Sequence, residues 1–447
     1  MQTGIDRNPY ADHLAEVNKT NPVLAAEDIY NERGAIIVPK GTQIDETISN
    51  KIALFSLRSP IELSVNLKYL IPPKEFYSDI QQAPIRLVDK LDDLYDSYNK
   101  ELIRQCGNYS LFPLLSQKLT VMRDRLPIVY QYTQCITGIA LSIAMNLELD
   151  DETLDVIFIA AQMHDSGLLN MPTESLEKIN EMDDQAKHKF FSQQLEAGTQ
   201  FLNSVPNLSK RVHQAILDHK ERVDGSGWPS GLANSSQSIE SQIVGVAAML
   251  NEAYMHHLLP KGYGPQLLYN VLQIEGSGLN LPIYNGAAQL LMQNPHTTRR
   301  FLPDEFIPPL IRYIPVLQKS LIHWLELAKQ CAKGIKAAAN TDEAVRSENI
   351  IAGLESTFHN SGIWVPELIS WLDEVAHSDN TSEYREVEIV AIMFDLVLEK
   401  LKRLLWSLFD ASKKIDGHWQ NRCAELHQLI RMIPDNHYLA LENYECL

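Results

Sequence analysis

The stretch LDHKERVDGSGWPSGL, residues 217–232, decides how the rest of the chain is read. It joins a histidine at the end of a helical pattern to a loop of glycines and a proline, and it sets Lys220 directly after His219. Just upstream, Val212 and Ile216 recur at helical spacing with His219, so the imidazole is expected on a buried helix face. QMHDSGLLNMP, residues 162–172, has the same design: Leu154, Ile157 and Ala161 share a face with His164, and Asp165 follows. Two histidines and an aspartate are therefore expected to point from separate helices toward one interior region. Imidazoles and carboxylates converging in this way can hold divalent metals, which activate water and polarise a phosphodiester.

A His-Asp pair followed by Gly167 and Pro172 resembles the core of the HD-type phosphohydrolases. Asp224-Gly225-Ser226-Gly227-Trp228-Pro229 resembles the DGxGYP loop of the HD-GYP family, with Trp228 in the tyrosine position. The resemblance covers roughly residues 130–290. AEDIYNERGAIIVPKGT, residues 26–42, resembles the small domain often found ahead of such domains. It implies an all-helical central domain. In active members it implies hydrolysis of cyclic di-GMP at a bi- or trinuclear iron or manganese centre.

Carried over residue by residue, the resemblance gives a mixed site. His164, Asp165 and His219 keep metal-ligand identities, while Tyr132, Gln194, Lys220 and Ala248 stand where the family has ligands. Leu168 stands where a lysine meets the substrate phosphate, and Gln242 stands where an arginine is found. A protonated ammonium cannot ligate a metal. Lys220 is therefore read as a replacement for the metal's charge, in a salt bridge with Asp165. The expected cofactor is none; a surviving mononuclear site on His164, Asp165 and His219, taking iron or manganese, is the alternative. Tyr132 and Gln194 are read as hydrogen-bonded core filling. The loop residues Asp224, Gly225, Gly227, Trp228 and Pro229 are read as a partner-binding loop, with a turn-forming and packing role as the alternative.

The 447 residues are 45% hydrophobic and 21% charged, with a net charge of −18, which fits a folded chain and argues against a nucleic-acid binder. The five cysteines are scattered, which disfavours a disulfide framework. The polar start MQTGIDRNPYADHL lacks the apolar segment of a signal peptide, and no apolar run approaches the ~20 residues of a membrane span. A cytoplasmic protein is expected. AIIV and IELSVNL read as strands, with turns at NERG and PKGT.

The fold class expected is mainly α. The parts are a tail (1–20), a small β-containing module (21–72), a helical connector (73–127), a degenerate HD-GYP domain (128–295) and a C-terminal helical bundle (296–447). The function expected is that of a catalytically impaired HD-GYP-like regulatory protein. It would act through a protein partner, such as a diguanylate-cyclase domain, with cyclic di-GMP bound weakly if at all. The alternatives are an active metal-dependent phosphodiesterase for cyclic di-GMP or a related nucleotide, and a ligand sensor built on the bundle.

Overall fold

Proline opens many of the helices, at positions where its missing N–H costs no hydrogen bond. The structure is a computed structural model that describes residues 8–88, 92–179, 182, 184–224, 227–230, 237–293, 300, 302–338, 342–378, 381–413 and 417–431. The described residues fall into two compact units, one made of 1–219 with 238–251 and the other of 220–237 with 252–447.

The first unit begins with α1 (Pro9–Val17), capped by the Asn8 side chain and burying Tyr10, Leu14 and Val17. The segment expected to be a tail therefore carries a packed helix. Its apolar residues repeat over only two turns, too few to stand out against polar flanks. Four short strands follow: β1 (Val23–Ala25), β2 (Ile29–Tyr30), β3 (Ile36–Val38) and β4 (Val65–Leu67). β1 pairs antiparallel with β4, and β2 with β3. The turns at NERG and PKGT place Gly34 and Gly41 at φ +79°, where a side chain would be strained. Only the end of IELSVNL is a strand, because Ile61–Leu63 forms a 3-10 turn. Between the strands lies α2 (Glu46–Ile52).

Next come α3 (Pro73–Gln81), α4 (Asp92–Tyr109), α5 (Pro113–Arg125), α6 (Pro127–Asn146) and α7 (Asp151–Met163). The stretch read as a connector belongs to the core. Phe76 of α3 and Tyr109 of α4 pack on Phe158 of α7, with ring centroids 5.8 and 6.3 Å from it. α6 is long and apolar enough to cross a membrane, contrary to the reading of the sequence, but 67% of its apolar window is buried inside the structure. The unit is completed by α8 (Thr173–Glu177), α9 (Asp184–Asn203), α10 (Lys210–Asp218) and α11 (Ile239–Glu252).

Lys118 of α5 is fully buried, and its ammonium joins five parts of this unit. It lies 2.9 Å from Glu62 Oε1, 2.7 Å from Asn170 Oδ1, and over the rings of Tyr10 (4.0 Å) and Phe201 (4.8 Å). Burial alone would raise the Glu62 carboxyl, but Lys118 and the Asn170 amide outweigh it and hold that group below its ordinary range. Burial pulls Lys118 down, and Glu62 restores part of the loss. An ammonium with two oxygen acceptors and two ring faces around it is in surroundings suited to its charged form.

The second unit contains α12 (Leu268–Glu275), α13 (Leu281–Met292), α14 (Ile307–Ala338), α15 (Asp342–Ser361), α16 (Pro366–His377), α17 (Tyr384–Ser412) and α18 (Gly417–Arg431). The two long periodic segments of the sequence are α14 and α17, which pack on one another and on α18. Residues 252–293 were expected with the central domain, yet they cluster with these C-terminal helices. Thr357 of α15 and Lys400 of α17 both reach the Ile274 carbonyl at the end of α12, at 3.1 and 2.8 Å.

In the first unit, beside Lys118, burial and then the charges of Arg125 and Lys118 lower the His13 imidazole to about 4. Its folded-state pKa lies below the unfolded value of about 6.5, so the unfolded chain takes up the proton first. That contribution to stability is intact above pH 6.5 and is lost as pH falls toward 4. The unfolding free energy is expected to drop by about 1–2 kcal/mol between pH 6.5 and 5. Urea titrations across this range should show a flatter profile for His13→Gln.

Candidate functional site

α7 starts at a cap, Asp150, whose carboxylate accepts from Thr153 N at 2.8 Å, and ends at His164. α10 starts at the cap Ser209 and ends at His219. Each helix therefore finishes on a buried histidine, 3% and 1% exposed. The Nδ1–H of His164 donates to Ala161 O at 2.8 Å, and that of His219 to Ile216 O at 2.6 Å. A carbonyl can only accept, so the proton sits on Nδ1 in both rings. The rings meet edge to face with centroids 5.4 Å apart. The expected convergence of His164 and His219 is thus present in this unit. Asp165 lies with Oδ2 3.2 Å from His164 Nε2, and its side chain is 23% exposed. It keeps contact with water, so it is not the stranded interior charge that the sequence suggested.

After His164 the chain makes a 3-10 turn, Ser166–Asn170, that packs on α9. Gly167 is obligatory there: a Cβ would overlap Gln194 O and come within 2.8 Å of Gly198 N. Gln194 is fully buried and donates from Nε2 to His164 O at 3.1 Å, while its Oε1 is buried without a hydrogen-bond partner. The reading of Gln194 as hydrogen-bonded core filling describes it. Leu168 is 7% exposed in a cluster with Met171 and Phe190, flanked by Leu126, Val129, Leu176 and Ile179. Where the resemblance implies a lysine, the side chain is hydrocarbon packed on hydrocarbon.

Tyr132 is half-buried and does not face the core as its spacing suggested. Tyr130 takes the buried place at the start of α6, with its hydroxyl 2.5 Å from Asp79 Oδ2. Ala248 and Gln242 of α11 are half-buried. Among the described residues, no three His, Cys, Asp or Glu side chains gather as a metal-ligand set. The positions under discussion offer at most two imidazoles and one carboxylate. Ala248 has no donor, and Gln194 turns its N–H toward a backbone oxygen. This donor set does not fit a bi- or trinuclear centre, which needs more ligands than three.

The loop belongs to the second unit. Gly225 lies outside the described residues. Val223 N donates to Gly278 O at 3.1 Å, and the Asp224 carboxylate lies against the Cα positions of Gly278 and Gly353. Gly227 is buried where a Cβ would overlap the backbone of Glu221 and Arg222. Glu221 accepts from Ser230 N at 2.6 Å. Pro229 is exposed and follows a cis peptide bond. Trp228 is half-buried, with the Lys220 ammonium 5.1 Å from its ring centroid and its N–H donating to Lys220 O at 3.2 Å. Within this unit Lys220 covers an indole.

A His-Asp pair at the end of one helix and a second histidine at the end of another are what the HD-type resemblance leads one to expect. Residues 119–265 match the HD domain family and belong to it. The relatives this chain matches are named cyclic di-GMP phosphodiesterases. The match to PdeB of Borreliella burgdorferi is 31% identical over 30% of this chain and 34% of that protein. The response regulator RpfG of Xanthomonas campestris is 32% identical over 26% of this chain and 31% of its own length. A cyclic di-GMP phosphodiesterase of Pseudomonas aeruginosa is 25% identical over 30% and 32%. The chain thus spans about a third of the length of the curated relatives it matches.

Lys118, Glu62 and Asn170 were not singled out from the sequence, though Asn170 stands inside the quoted stretch. A lysine among the apolar residues of PLLSQKLTVM was the available signal. Gly167→Ala should cost about 1–3 kcal/mol or more, since the overlap is with backbone. Gly107→Ala, at a helix site where a Cβ meets nothing within 4 Å, should be neutral or stabilising. Thermal melts of the two variants compare the cases directly. A double-mutant cycle of Lys220→Met and Trp228→Phe should give a coupling of about 0.5–1 kcal/mol, the size of a partly exposed cation–π contact.

Proposed function

We propose that this chain is a catalytically impaired HD-GYP-like regulatory protein that works by binding a protein partner in signalling of the cyclic di-GMP type. The observation that carries the reading is Leu168. Where the family resemblance implies a lysine for the substrate phosphate, the side chain is packed with Met171 and Phe190. A dianionic phosphodiester gains its tightest contacts from charged donors, and none is supplied at that position. The short donor set of His164, Asp165 and His219, with Tyr132, Gln194, Lys220 and Ala248 at the other positions, supports the same conclusion. The partner is a protein such as a diguanylate-cyclase domain, met by the loop Asp224–Pro229 with Trp228 as its aromatic anchor. Cyclic di-GMP is at most a weak ligand, and the acidic balance of the chain disfavours nucleic acid.

One observation favours a second reading, that of an active phosphodiesterase for cyclic di-GMP or a related nucleotide. Both His164 and His219 hold their Nδ1 protons on carbonyls, which leaves Nε2 in the form a metal ligand requires. Iron or manganese would supply the water activation in that case, with Asp165 as third ligand.

Protein purified without chelators separates the two. The expected outcome is substoichiometric iron, manganese and zinc, with cyclic di-GMP recovered intact. Stoichiometric metal together with a linear dinucleotide or GMP as product overturns the proposal. In titrations against a diguanylate-cyclase domain, Trp228→Ala should weaken binding about tenfold or more while leaving the melting temperature within a few degrees.

A further inference from the structure

In the C-terminal unit, α14 and α18 pack so closely that Gly334 has no room for a Cβ beneath the indole of Trp419. One turn from each of these residues along the same contact stand Cys331 and Cys423. Both are buried, 3% and 2% exposed, and their thiols are hydrogen-bonded to one another. A buried thiol pair facing one another across two packed helices, with no other assigned role, is placed where a disulfide can form once the sulfurs close to bonding distance.

We propose that Cys331 and Cys423 form a reversible dithiol–disulfide site that ties α18 to α14 when the protein meets a hydroperoxide. The Cys331 thiolate attacks the terminal peroxide oxygen, breaking the O–O bond and releasing an alcohol once the alkoxide takes a proton. Cys331 is left as the sulfenic acid. The Cys423 sulfur then attacks the Cys331 sulfur, and its proton leaves with the displaced hydroxide as water. Two thiols and one hydroperoxide thus give one disulfide, one alcohol and one water.

The order of attack follows from the pair's own environment. The hydrogen bond from Cys423, and secondarily the charge of Arg422, lower the Cys331 thiol against the opposing effect of burial. The same hydrogen bond, together with burial, raises Cys423. The first attacker is therefore Cys331, and Cys423 resolves the intermediate. Cys106 and Cys135 make a built-in contrast, since burial pushes each thiol up to about 12 and each stays protonated at neutral pH. Both reactive sulfurs are buried, so the peroxide reaches Cys331 only when α18 lifts from α14. Oxidation thus records an opening and then prevents the next one.

The test uses the full chain treated with tert-butyl hydroperoxide and mapped as peptides without reduction. The expected product is a Cys331–Cys423 linked peptide pair, lighter by two hydrogens and separated again by dithiothreitol. Cys106 and Cys135 should remain thiols. The oxidised protein should melt several degrees higher than the reduced one, because the link closes a long loop. Cys331→Ala and Cys423→Ala should each abolish the link, and Cys446→Ser should keep it. A Cys423–Cys446 link, a Cys331 sulfinic acid without any disulfide, or both thiols surviving while Cys106 or Cys135 reacts would each overturn the proposal. The map of the unsubstituted protein decides this even if a variant fails to fold.

Discussion

A lysine with no exposed surface constrains the whole N-terminal unit. Desolvating an ammonium costs several kcal/mol unless its surroundings return the lost interactions. For Lys118 those interactions come from the carboxylate of Glu62, the amide of Asn170 and the rings of Tyr10 and Phe201. These groups sit on the β-containing module, the turn after the His-Asp pair, α1 and α9. None of these elements can shift without weakening the shell around a buried charge. The module read as a separate domain is in this way tied to the HD turn, and Asn170 also donates to Glu62 at 2.9 Å, so the turn helps hold both ends of the pair.

What the sequence made legible was local. The faces that carry His164 and His219, the strand within AIIV, the turns at Gly34 and Gly41, and the long helices α14 and α17 all follow from periodicity or turn chemistry within a few residues. What it hid was set by distance along the chain or by competition for one surface. Glu62 and Lys118 are far apart in sequence, so no window contains both. Tyr132 has the spacing of a core residue, but Tyr130 and Thr133 take the buried side of α6 near its start. Residues 252–293 resemble their neighbours in pattern, yet the buried Thr357 and Lys400 side chains bind them to the C-terminal helices. In the site, residue identities could be read directly. The hydrogen-bond geometry that decides what those residues do could not.

His164 and His219 show how a motif histidine can be held in place by its own helix. Each lies at the C-terminus of a helix, where the last carbonyls lack helical partners, and each gives its Nδ1–H to one of them. That role is structural and needs no metal. Gly167 is held by a different demand, the contact of its turn with the backbone of α9. Capping and packing are thus sufficient physical reasons for a His-Asp-x-Gly pattern at this place in the fold.

The same reasoning applies to the loop, with a different result for each residue. Gly227 is fixed by the backbone of Glu221 and Arg222, and Asp224 by its fit against Gly278 and Gly353, so their presence is explained by packing within their own unit. Trp228 is not explained to the same degree. It is half-buried, with the ammonium of Lys220 over its ring. Lys220 therefore serves its own unit here: its ammonium lies over the ring of Trp228 and its carbonyl accepts from the Trp228 backbone N–H, so both ends of the residue hold the loop.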